Sequence, residues 1–140
     1  MRALIIGGFG GMGQGVARDL VKQEKVEAVI LADLFPDPER LSTKLRENEK
    51  TKPVKMDVND HESMVKAFKD VNVVINTAGP FYKTAVPVAK AAVAAKVNYI
   101  DICDDYEGTE ILFNSEIDKL AREAGITVLT GMGSDPGTNN

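Results

Sequence analysis

The chain has 140 residues, of which 44% are hydrophobic and 27% are charged, and its formal net charge is −4 at pH 7. This length and composition are typical of one globular domain and exclude disordered, collagen-like and coiled-coil chains. The mildly acidic and evenly mixed charge argues against nucleic acid and membrane surfaces as partners.

Neither a membrane span nor a signal peptide is expected. No apolar run approaches the roughly 18 residues that a span needs, and the N-terminus lacks a charged segment followed by an apolar stretch and a cleavage site. We therefore expect a cytoplasmic protein. Cys103 is the one cysteine, which excludes an internal disulfide, and His61 is the one histidine, which makes a structural zinc site implausible. No metal site is expected, and Cys103 is expected to be a small buried hydrophobe.

The chain begins with a strand, a glycine cluster and a helix. The apolar run from Ala3 to Ile6 indicates a parallel strand that is buried on both faces. Six of the twelve glycines then fall between Gly7 and Gly15. Apolar residues at helical spacing between Val16 and Val21 predict a helix directly after this cluster.

Two more strands and two more helices are predicted before residue 70. The run from Ala28 to Ala32 predicts the second strand, and Asp37-Pro38 supplies the start of a helix that continues through Leu45. Val54 to Val58 reads as the third strand. Asp60 can cap the helix that follows.

The second half repeats the alternation. Val71 to Ile75 predicts strand four, and the alanine-rich segment from Thr84 to Val97 predicts a helix with Pro87 in its first turn. The remaining predicted elements are a strand at Asn98 to Cys103, a helix at Thr109 to Ala124 that stops at Gly125, and a strand at Ile126 to Thr130.

Short apolar strands that alternate with helices indicate an α/β fold, a doubly wound parallel sheet of about six strands. Ligands of such folds bind at the carboxyl ends of the strands, near the point where the strand order reverses. We therefore expect the site in the loops that follow the strands.

The glycine cluster fits a dinucleotide-binding turn of the Rossmann type in two registers. Gly8, Gly10 and Gly13 match G-x-G-x-x-G, whereas Gly7, Gly10 and Gly13 match the looser G-x-x-G-x-x-G. Glycines let the pyrophosphate approach the backbone and let the helix pack on the strand. The expected cofactor contacts are Gly7, Gly8, Phe9, Gly10, Gly11, Met12 and Gly13.

Asp33 closes the second strand 20 residues after Gly13. A carboxylate at this place can accept both hydroxyls of the adenosine ribose and would repel a 2′-phosphate, which favours NAD over NADP without excluding NADP. Leu34 is expected beside the same ribose. Residues 34–39 contain no basic side chain, and Arg40 comes late, inside the following helix. Alternatively, Asp33 only caps a turn.

Two later loops complete the predicted site. Asp57 and Val58 could flank the adenine ring, or they could simply begin a helix. After strand four, the backbone of Thr77, Ala78, Gly79 and Pro80 should pass the nicotinamide ribose, with Gly79-Pro80 marking a turn rather than a helix start.

Three side chains are candidates for the substrate side of this site. Phe81 and Tyr82 could wall the nicotinamide or cover the core. Asp101 could face the same region, and alternation along its strand would send Tyr99 and Cys103 to the same side. No Tyr-x-x-x-Lys pair is present, so the short-chain dehydrogenase mechanism is not encoded, and no catalytic acid or base can be assigned.

Three segments together resemble the saccharopine dehydrogenase-like oxidoreductases, which include saccharopine reductases and lysine 6-dehydrogenases. They are Leu4 to Gly13, Val73 to Phe81 with Tyr99 to Asp101, and Gly133 to Gly137. The resemblance implies oxidation or reductive formation of C–N bonds in amino acids such as saccharopine or lysine, with NAD(P) as cofactor and a small amino acid as substrate.

The resemblance also implies a domain boundary. Residues 1–133 would form the Rossmann dinucleotide-binding domain, and residues 134–140 would begin the connection to an absent substrate domain, with Asp135 at the edge of the substrate cleft. The 140-residue chain would then bind the nucleotide but turn over little. A homo-oligomer is an open alternative for its assembly.

Two other functions compete with this interpretation. The first is a non-catalytic dinucleotide sensor, which would keep the glycine loop. Such a sensor would need no Tyr-x-x-x-Lys pair, and this sequence has none. A reductase that shares only the fold and does not act on amino acids is a third alternative, since fold does not imply function.

Overall fold

A computed structural model describes residues 1–133. Within them a six-stranded, all-parallel sheet has the strand order β3-β2-β1-β4-β5-β6. The strands are β1 Arg2–Ile6, β2 Ala28–Asp33, β3 Thr51–Lys55, β4 Val73–Asn76, β5 Asn98–Asp101 and β6 Val128–Leu129. The chain leaves β1 toward one edge and returns to β4 on its other side, so the predicted doubly wound Rossmann-type fold is confirmed.

Helices connect each strand to the next. They are α1 Gly11–Leu20, α2 Thr43–Arg46, α3 His61–Phe68, α4 Phe81–Ala95, α5 Tyr106–Phe113 and α6 Ile117–Ala124, and a 3₁₀ turn, Pro38–Arg40, precedes α2. Among the described residues, no helix is both long and apolar enough to cross a membrane.

Alternation along β1 divides the core between the two faces of the sheet. Leu4 and Ile6 belong to the larger cluster, which the apolar faces of α3, α4, α5 and α6 cover. Ile5 belongs to the smaller cluster on the other face, with Ala17 of α1 and Leu45 of α2. Successive side chains of a strand point to opposite faces, so both sides of β1 are buried, as its continuous apolar run predicts.

Strand β3 lies three residues earlier than the predicted 54–58 segment. It pairs only with β2 and forms an edge of the described sheet, so most of its side chains are exposed and it carries no apolar run. Pro53 lies inside it, a position that an edge strand tolerates because the proline lacks a ladder donor. The apolar signal that set the predicted bounds comes from Met56 and Val58, which follow the strand and pack against the larger cluster.

Two predicted helices are divided in the structure. The segment after Asp37 consists of the 3₁₀ turn and the separate helix α2, although Asp37 caps the turn as predicted, its Oδ1 accepting from the Glu39 N–H at 3.0 Å. The predicted 109–124 helix breaks at Ser115, whose hydroxyl donates to the Leu112 carbonyl and accepts from the Ile117 N–H. A serine can replace backbone partners in this way and end a helix locally.

Helix α4 begins earlier than predicted. It starts at Phe81, directly after Pro80, which is its N-cap, so the prediction that Gly79-Pro80 is not a helix start is wrong. The Gly79-Pro80 peptide bond is cis. Pro87 consequently lies in the second turn, where it gives no N–H to the Lys83 carbonyl.

Candidate dinucleotide-binding site

The turn after β1 is held against the end of β2 by backbone hydrogen bonds. The N–H groups of Gly7 and Gly8 both donate to the Ala32 carbonyl, at 2.9 and 3.1 Å, and the Gly10 N–H donates to the Gly7 carbonyl at 3.0 Å. Gly7 has φ +74°, which favours glycine. This conformation turns the chain from the sheet into α1.

Both predicted glycine registers correspond to real steric requirements. A Cβ on Gly8 would lie 2.8 Å from the Leu31 Cα, and a Cβ on Gly13 would collide with the Gly7 carbonyl oxygen. Gly7 and Gly8 are therefore both needed, one for the backbone conformation and one for contact with β2. A Cβ on Gly11, in contrast, would meet no atom within 4 Å.

The start of α1 presents free backbone donors. Gly10 is its N-cap and has no side chain to accept from them, and the first intrahelical hydrogen bond runs from the Gln14 N–H to the Gly10 carbonyl at 2.9 Å. The N–H groups of Gly11, Met12 and Gly13 precede that bond. A helix N-terminus of this kind binds phosphate groups through its free donors and its dipole.

One groove joins the predicted loops at the carboxyl ends of β1, β2, β3 and β4. Its volume is about 390 Å³. It is lined by Ile6, Gly7, Gly10, Asp33, Leu34, Arg40, Met56, Asp57, Val58, Asn59, Thr77, Ala78, Gly79 and Thr84. The fold therefore brings nine predicted cofactor residues into one site, although they are spread over more than 70 positions of the chain.

The acidic side chains of the groove differ in their hydrogen bonding. Asp33 is half-buried, and its Oδ1 accepts a long hydrogen bond of 3.4 Å from the Phe35 N–H. Asp57 is exposed, and its Oδ1 accepts from the backbone N–H and the side-chain amide of Asn59, each at 2.9 Å. Helix α3 is capped by Asp60, as predicted, and its Oδ1 accepts from the Ser63 N–H at 3.0 Å. Asp57 and Val58 lie in the turn that leads into this helix, as their alternative role predicted, and they also line the groove.

The loop after β4 is fastened to the glycine turn. The Thr77 N–H and hydroxyl both donate to the Ile6 carbonyl, at 2.9 and 2.8 Å. The Thr84 hydroxyl donates to the Ala78 carbonyl at 2.6 Å, and the Ala78 N–H donates to the Asn76 Oδ1 at 3.1 Å. Ala78 thus lies beside Gly7, where a nicotinamide ribose would pass in a fold of this kind.

Several predicted site residues lie elsewhere. The Phe9 side chain is 2% exposed and packs in the smaller core, so only its backbone can contribute to the site. Phe81 is 9% exposed and packs against Ala85 and Cys103, which makes it a core residue rather than a wall of the groove. Tyr82 is exposed, with the Lys83 Nζ 5.5 Å from its ring centre. Asp135 lies outside the described residues.

Asp101 does not face the substrate region. It is fully buried, and its Oδ1 accepts from the Cys103 and Gly131 N–H groups and from the Thr130 hydroxyl, at 2.8 to 3.1 Å. Its Oδ2 accepts from the Tyr99 hydroxyl at 2.7 Å, which confirms that Tyr99 and Asp101 share one side of β5. The carboxylate ties the end of β5 to the segment after β6.

Tyr99 belongs to the same buried network. Burial raises the pKa of its hydroxyl well above the ordinary value, and the nearby charge of Asp101 raises it further. Asn76 donates to Tyr99 at 3.3 Å and to Thr84 at 3.4 Å. The sequence places Asn76 at the start of the loop after strand four, but it gives no sign that the side chain is buried and bonded to Tyr99, Thr84 and Ala78.

Arg40 is the principal residue of the groove that sequence reasoning excluded. It ends the 3₁₀ turn, as its predicted place inside the following helical segment implies, and it nevertheless lines the groove together with Asp33 and Leu34. Hydrophobic periodicity carries no signal for this position, because the segment before Arg40 forms a single 3₁₀ turn rather than a periodic helix. The signal that was available is Asp37-Pro38, which marks a tight turn directly before Arg40.

The fold and the groove define an α/β domain of the Rossmann type, the class that binds dinucleotides. The family model described as "Saccharopine dehydrogenase NADP binding domain" matches residues 3–130, and the chain belongs to this family. It is an oxidoreductase family, as the resemblance implied.

The name of a curated relative also specifies a nicotinamide dinucleotide. The NADP-dependent 3-hydroxy acid dehydrogenase of Schizosaccharomyces pombe is 33% identical over 85 residues, which cover 54% of this chain and 33% of that protein. Both this name and the family description specify NADP. A nicotinamide dinucleotide is therefore the cofactor, whereas the predicted preference for NAD is not shown.

Solved structures share the fold. Saccharopine dehydrogenase (L-Glu forming) from Saccharomyces cerevisiae aligns with a TM-score of 0.78 at 23% identity, over 99% of this chain and 28% of that chain. UDP-glucuronic acid 4-epimerase from Bacillus cereus, in complex with NAD, aligns with a TM-score of 0.60 at 16% identity, over 93% and 56% of the two chains. The matched part of this chain thus spans about a third of the Schizosaccharomyces pombe protein and less than a third of the Saccharomyces cerevisiae enzyme.

Proposed function

We propose that this chain is the cofactor-binding part of an NAD(P)-dependent oxidoreductase that acts on C–N bonds of amino acids such as saccharopine or lysine. The observation that supports this proposal most is the groove that joins the glycine turn, Asp33 and the loop after β4. The family assignment supports the oxidoreductase class. The amino-acid substrate rests on the resemblance alone.

The chain's own residues would bind and orient the cofactor. The free donors of α1 would hold the pyrophosphate, and the Asp33 carboxylate would accept the ribose hydroxyls. The fastened Ala78 loop would position the nicotinamide ribose. The bound cofactor supplies hydride transfer at its nicotinamide ring, and the protein supplies orientation and electrostatics. The acid or base of the reaction is not assigned to a residue of this chain.

We expect this site to bind NADH more tightly than NADPH, because Asp33 accepts ribose hydroxyls and repels a phosphate. Nicotinamide fluorescence titrations of both nucleotides measure the two dissociation constants. Asp33→Ser should lower the ratio of the NADPH dissociation constant to the NADH dissociation constant by about tenfold, which corresponds to roughly 1.4 kcal/mol. Asp70→Ser is the matched control, since Asp70 is an exposed carboxylate that precedes β4, at the amino ends of the strands and away from the groove.

Two results would contradict the proposal. Equal affinities of the parent chain for the two nucleotides would overturn the role of Asp33. Undetectable binding of both would overturn the dinucleotide site itself. The whole activity is tested separately, by assaying saccharopine and lysine with a polypeptide as long as the relatives; the 140-residue chain should bind nucleotide with little turnover.

A further inference from the structure

The loop between β4 and α4 leaves one backbone donor of the groove unpaired. The N–H groups of Thr77 and Ala78 both have acceptors, the Ile6 carbonyl and the Asn76 Oδ1. Among residues 1–133, by contrast, no group accepts from the Gly79 N–H. Gly79 lines the groove and is exposed, and a Cβ added to it would meet no atom within 4 Å. A ligand can therefore approach this donor.

The Thr84 hydroxyl fixes the direction of the same donor. It donates to the Ala78 carbonyl at 2.6 Å, and its oxygen accepts from the Asn76 Nδ2 at 3.4 Å. The Ala78 carbonyl and the Gly79 N–H belong to one planar trans peptide group, so they point in opposite directions. Because Thr84 holds the carbonyl, the Gly79 N–H is turned away from Thr84, toward the open side of the loop.

Thr84 is itself held in place. It lies in the first turn of α4, is 6% exposed, and its N–H donates to the Pro80 carbonyl at 3.3 Å. Its partner Asn76 is fully buried and also donates to the Tyr99 hydroxyl at 3.3 Å. A donor whose direction is fixed before a ligand binds loses less entropy on binding. The Gly79 N–H is thus preorganised by side chains that lie beneath the loop.

We propose that the Gly79 N–H donates to an oxygen of the nicotinamide riboside half of the dinucleotide, and that Thr84 is the residue that positions this donor. This inference rests on the proposed nucleotide site. The nicotinamide riboside half carries ribose hydroxyls and a carboxamide oxygen, which all accept hydrogen bonds. The adenosine diphosphate half would instead be held by the free donors of α1 and by Asp33.

The test compares a whole dinucleotide with its adenosine diphosphate half. The ligands are NADH and ADP, or NADPH and 2′-phospho-ADP, according to which reduced nucleotide the parent chain binds more tightly. Thr84→Val keeps the shape of the side chain but not the hydroxyl. It should weaken binding of the reduced nucleotide about threefold to tenfold, the usual effect of one lost hydrogen bond, and change binding of the half less than about twofold. Thr84→Ser keeps the hydroxyl and should restore most of the affinity.

Thr109→Val is the matched control for the loss of a threonine hydroxyl. Thr109 is half-buried, and its hydroxyl donates to the Cys103 Sγ at 3.5 Å, but it does not line the groove. This variant should bind both ligands as the parent does. Calorimetric titration measures the dissociation constants, and thermal unfolding of each variant separates loss of the fold from loss of the site.

A second measurement uses the parent chain alone and decides the inference even where Thr84→Val fails to fold. In isotope-labelled protein, the amide resonance of Gly79 should shift when the whole nucleotide is added and stay nearly unchanged with the half. Only the whole nucleotide brings an acceptor to this N–H. The amide resonance of Gly11, a free donor at the start of α1, should shift with both ligands.

The outcomes distinguish this inference from the proposed function. The role of Thr84 is overturned, and the dinucleotide site stands, if the parent binds the whole nucleotide but a folded Thr84→Val chain weakens neither ligand or both equally. A Gly79 resonance that responds alike to both ligands, or to neither, overturns the inference as well. If the parent chain binds none of the four nucleotides, both proposals fall. A selective loss of the reduced nucleotide that serine restores supports the inference.

Discussion

Gly13 shows how a single missing side chain brings α1 against the turn that precedes it. A Cβ at this position would collide with the Gly7 carbonyl oxygen and would lie 2.8 Å from the Gly8 Cα. Both contacts are with backbone, which cannot rotate away as a side chain can. The glycine at this position is therefore required by packing alone, whether or not a ligand is bound.

We predict that Gly13→Ala lowers the free energy of unfolding by about 1–3 kcal/mol, the usual effect of overpacking, and weakens nucleotide binding. Gly11→Ala is the matched control in the same helix, because its Cβ would meet open space. It should raise stability by about 0.5–1 kcal/mol through the lower backbone entropy of the unfolded chain. Denaturant unfolding of the two variants measures the two changes in the free energy of unfolding, and nucleotide titration measures the loss of binding. Equal destabilisation by the two alanines would contradict the steric explanation.

Two helices end in the same conformation with different residues. Helix α4 ends at Lys96 with φ 58°, and α6 ends at Gly125 with φ 69°. In both cases the capping N–H donates to carbonyls of the preceding turn. Glycine adopts this left-handed conformation without steric cost, whereas lysine does not. Only the stop of α6 was visible in the sequence, because only Gly125 is a residue that marks such an ending.

We predict opposite effects of exchanging these caps. Lys96→Gly should raise the free energy of unfolding by about 0.5–1 kcal/mol, because it removes a left-handed lysine. Gly125→Ala should lower it by about 1 kcal/mol, and this loss is purely conformational because no atom lies within 4 Å of the added Cβ. Urea denaturation checks both. A destabilising Lys96→Gly would show that the lysine side chain, rather than its backbone, matters at this cap.

The buried network of Asn76, Tyr99 and Asp101 joins three parts of the molecule. It links the ends of β4 and β5 and, through the Thr130 and Gly131 donors, the segment after β6. The same Asn76 side chain accepts from Ala78 in the candidate site. The network thus holds Ala78, a lining residue of the groove, against the ends of β4 and β5.

The raised pKa of Tyr99 predicts how global stability depends on pH. In the unfolded chain a tyrosine ionises near pH 10, whereas in the folded chain Tyr99 keeps its proton to higher pH. Its contribution is therefore fully present below about pH 10 and is lost as the pH rises toward the folded pKa.

Tyr99→Phe removes this dependence and also leaves the Asp101 Oδ2 without its hydrogen bond. At neutral pH it should lower the free energy of unfolding by about 1–3 kcal/mol. The difference from the parent should narrow above about pH 10, as measured by denaturant unfolding at a series of pH values. Tyr106→Phe, at a side chain that is 76% exposed, is the control. Parallel curves for parent and Tyr99→Phe through the alkaline range would contradict the prediction.

The local sequence by itself determined the alternation of strands and helices, the glycine turn and most residues of the groove. These features follow from periodicity and from residues such as glycine and proline, whose backbone preferences act within a few positions. The bounds of β3 and the break at Ser115 were harder to predict. An exposed edge strand has no apolar pattern, and a serine hydroxyl can replace backbone partners.

Only the tertiary structure decided which polar side chains reach the groove and which are buried. Asp33 and Asp101 both follow apolar runs and look alike in the sequence, yet one lines the groove and the other is enclosed by donors from β5 and the segment after β6. Arg40 enters the site because Gln14, 26 positions earlier, fastens its backbone beside the glycine turn. Such contacts join residues that are distant in the chain, so no local pattern can contain them.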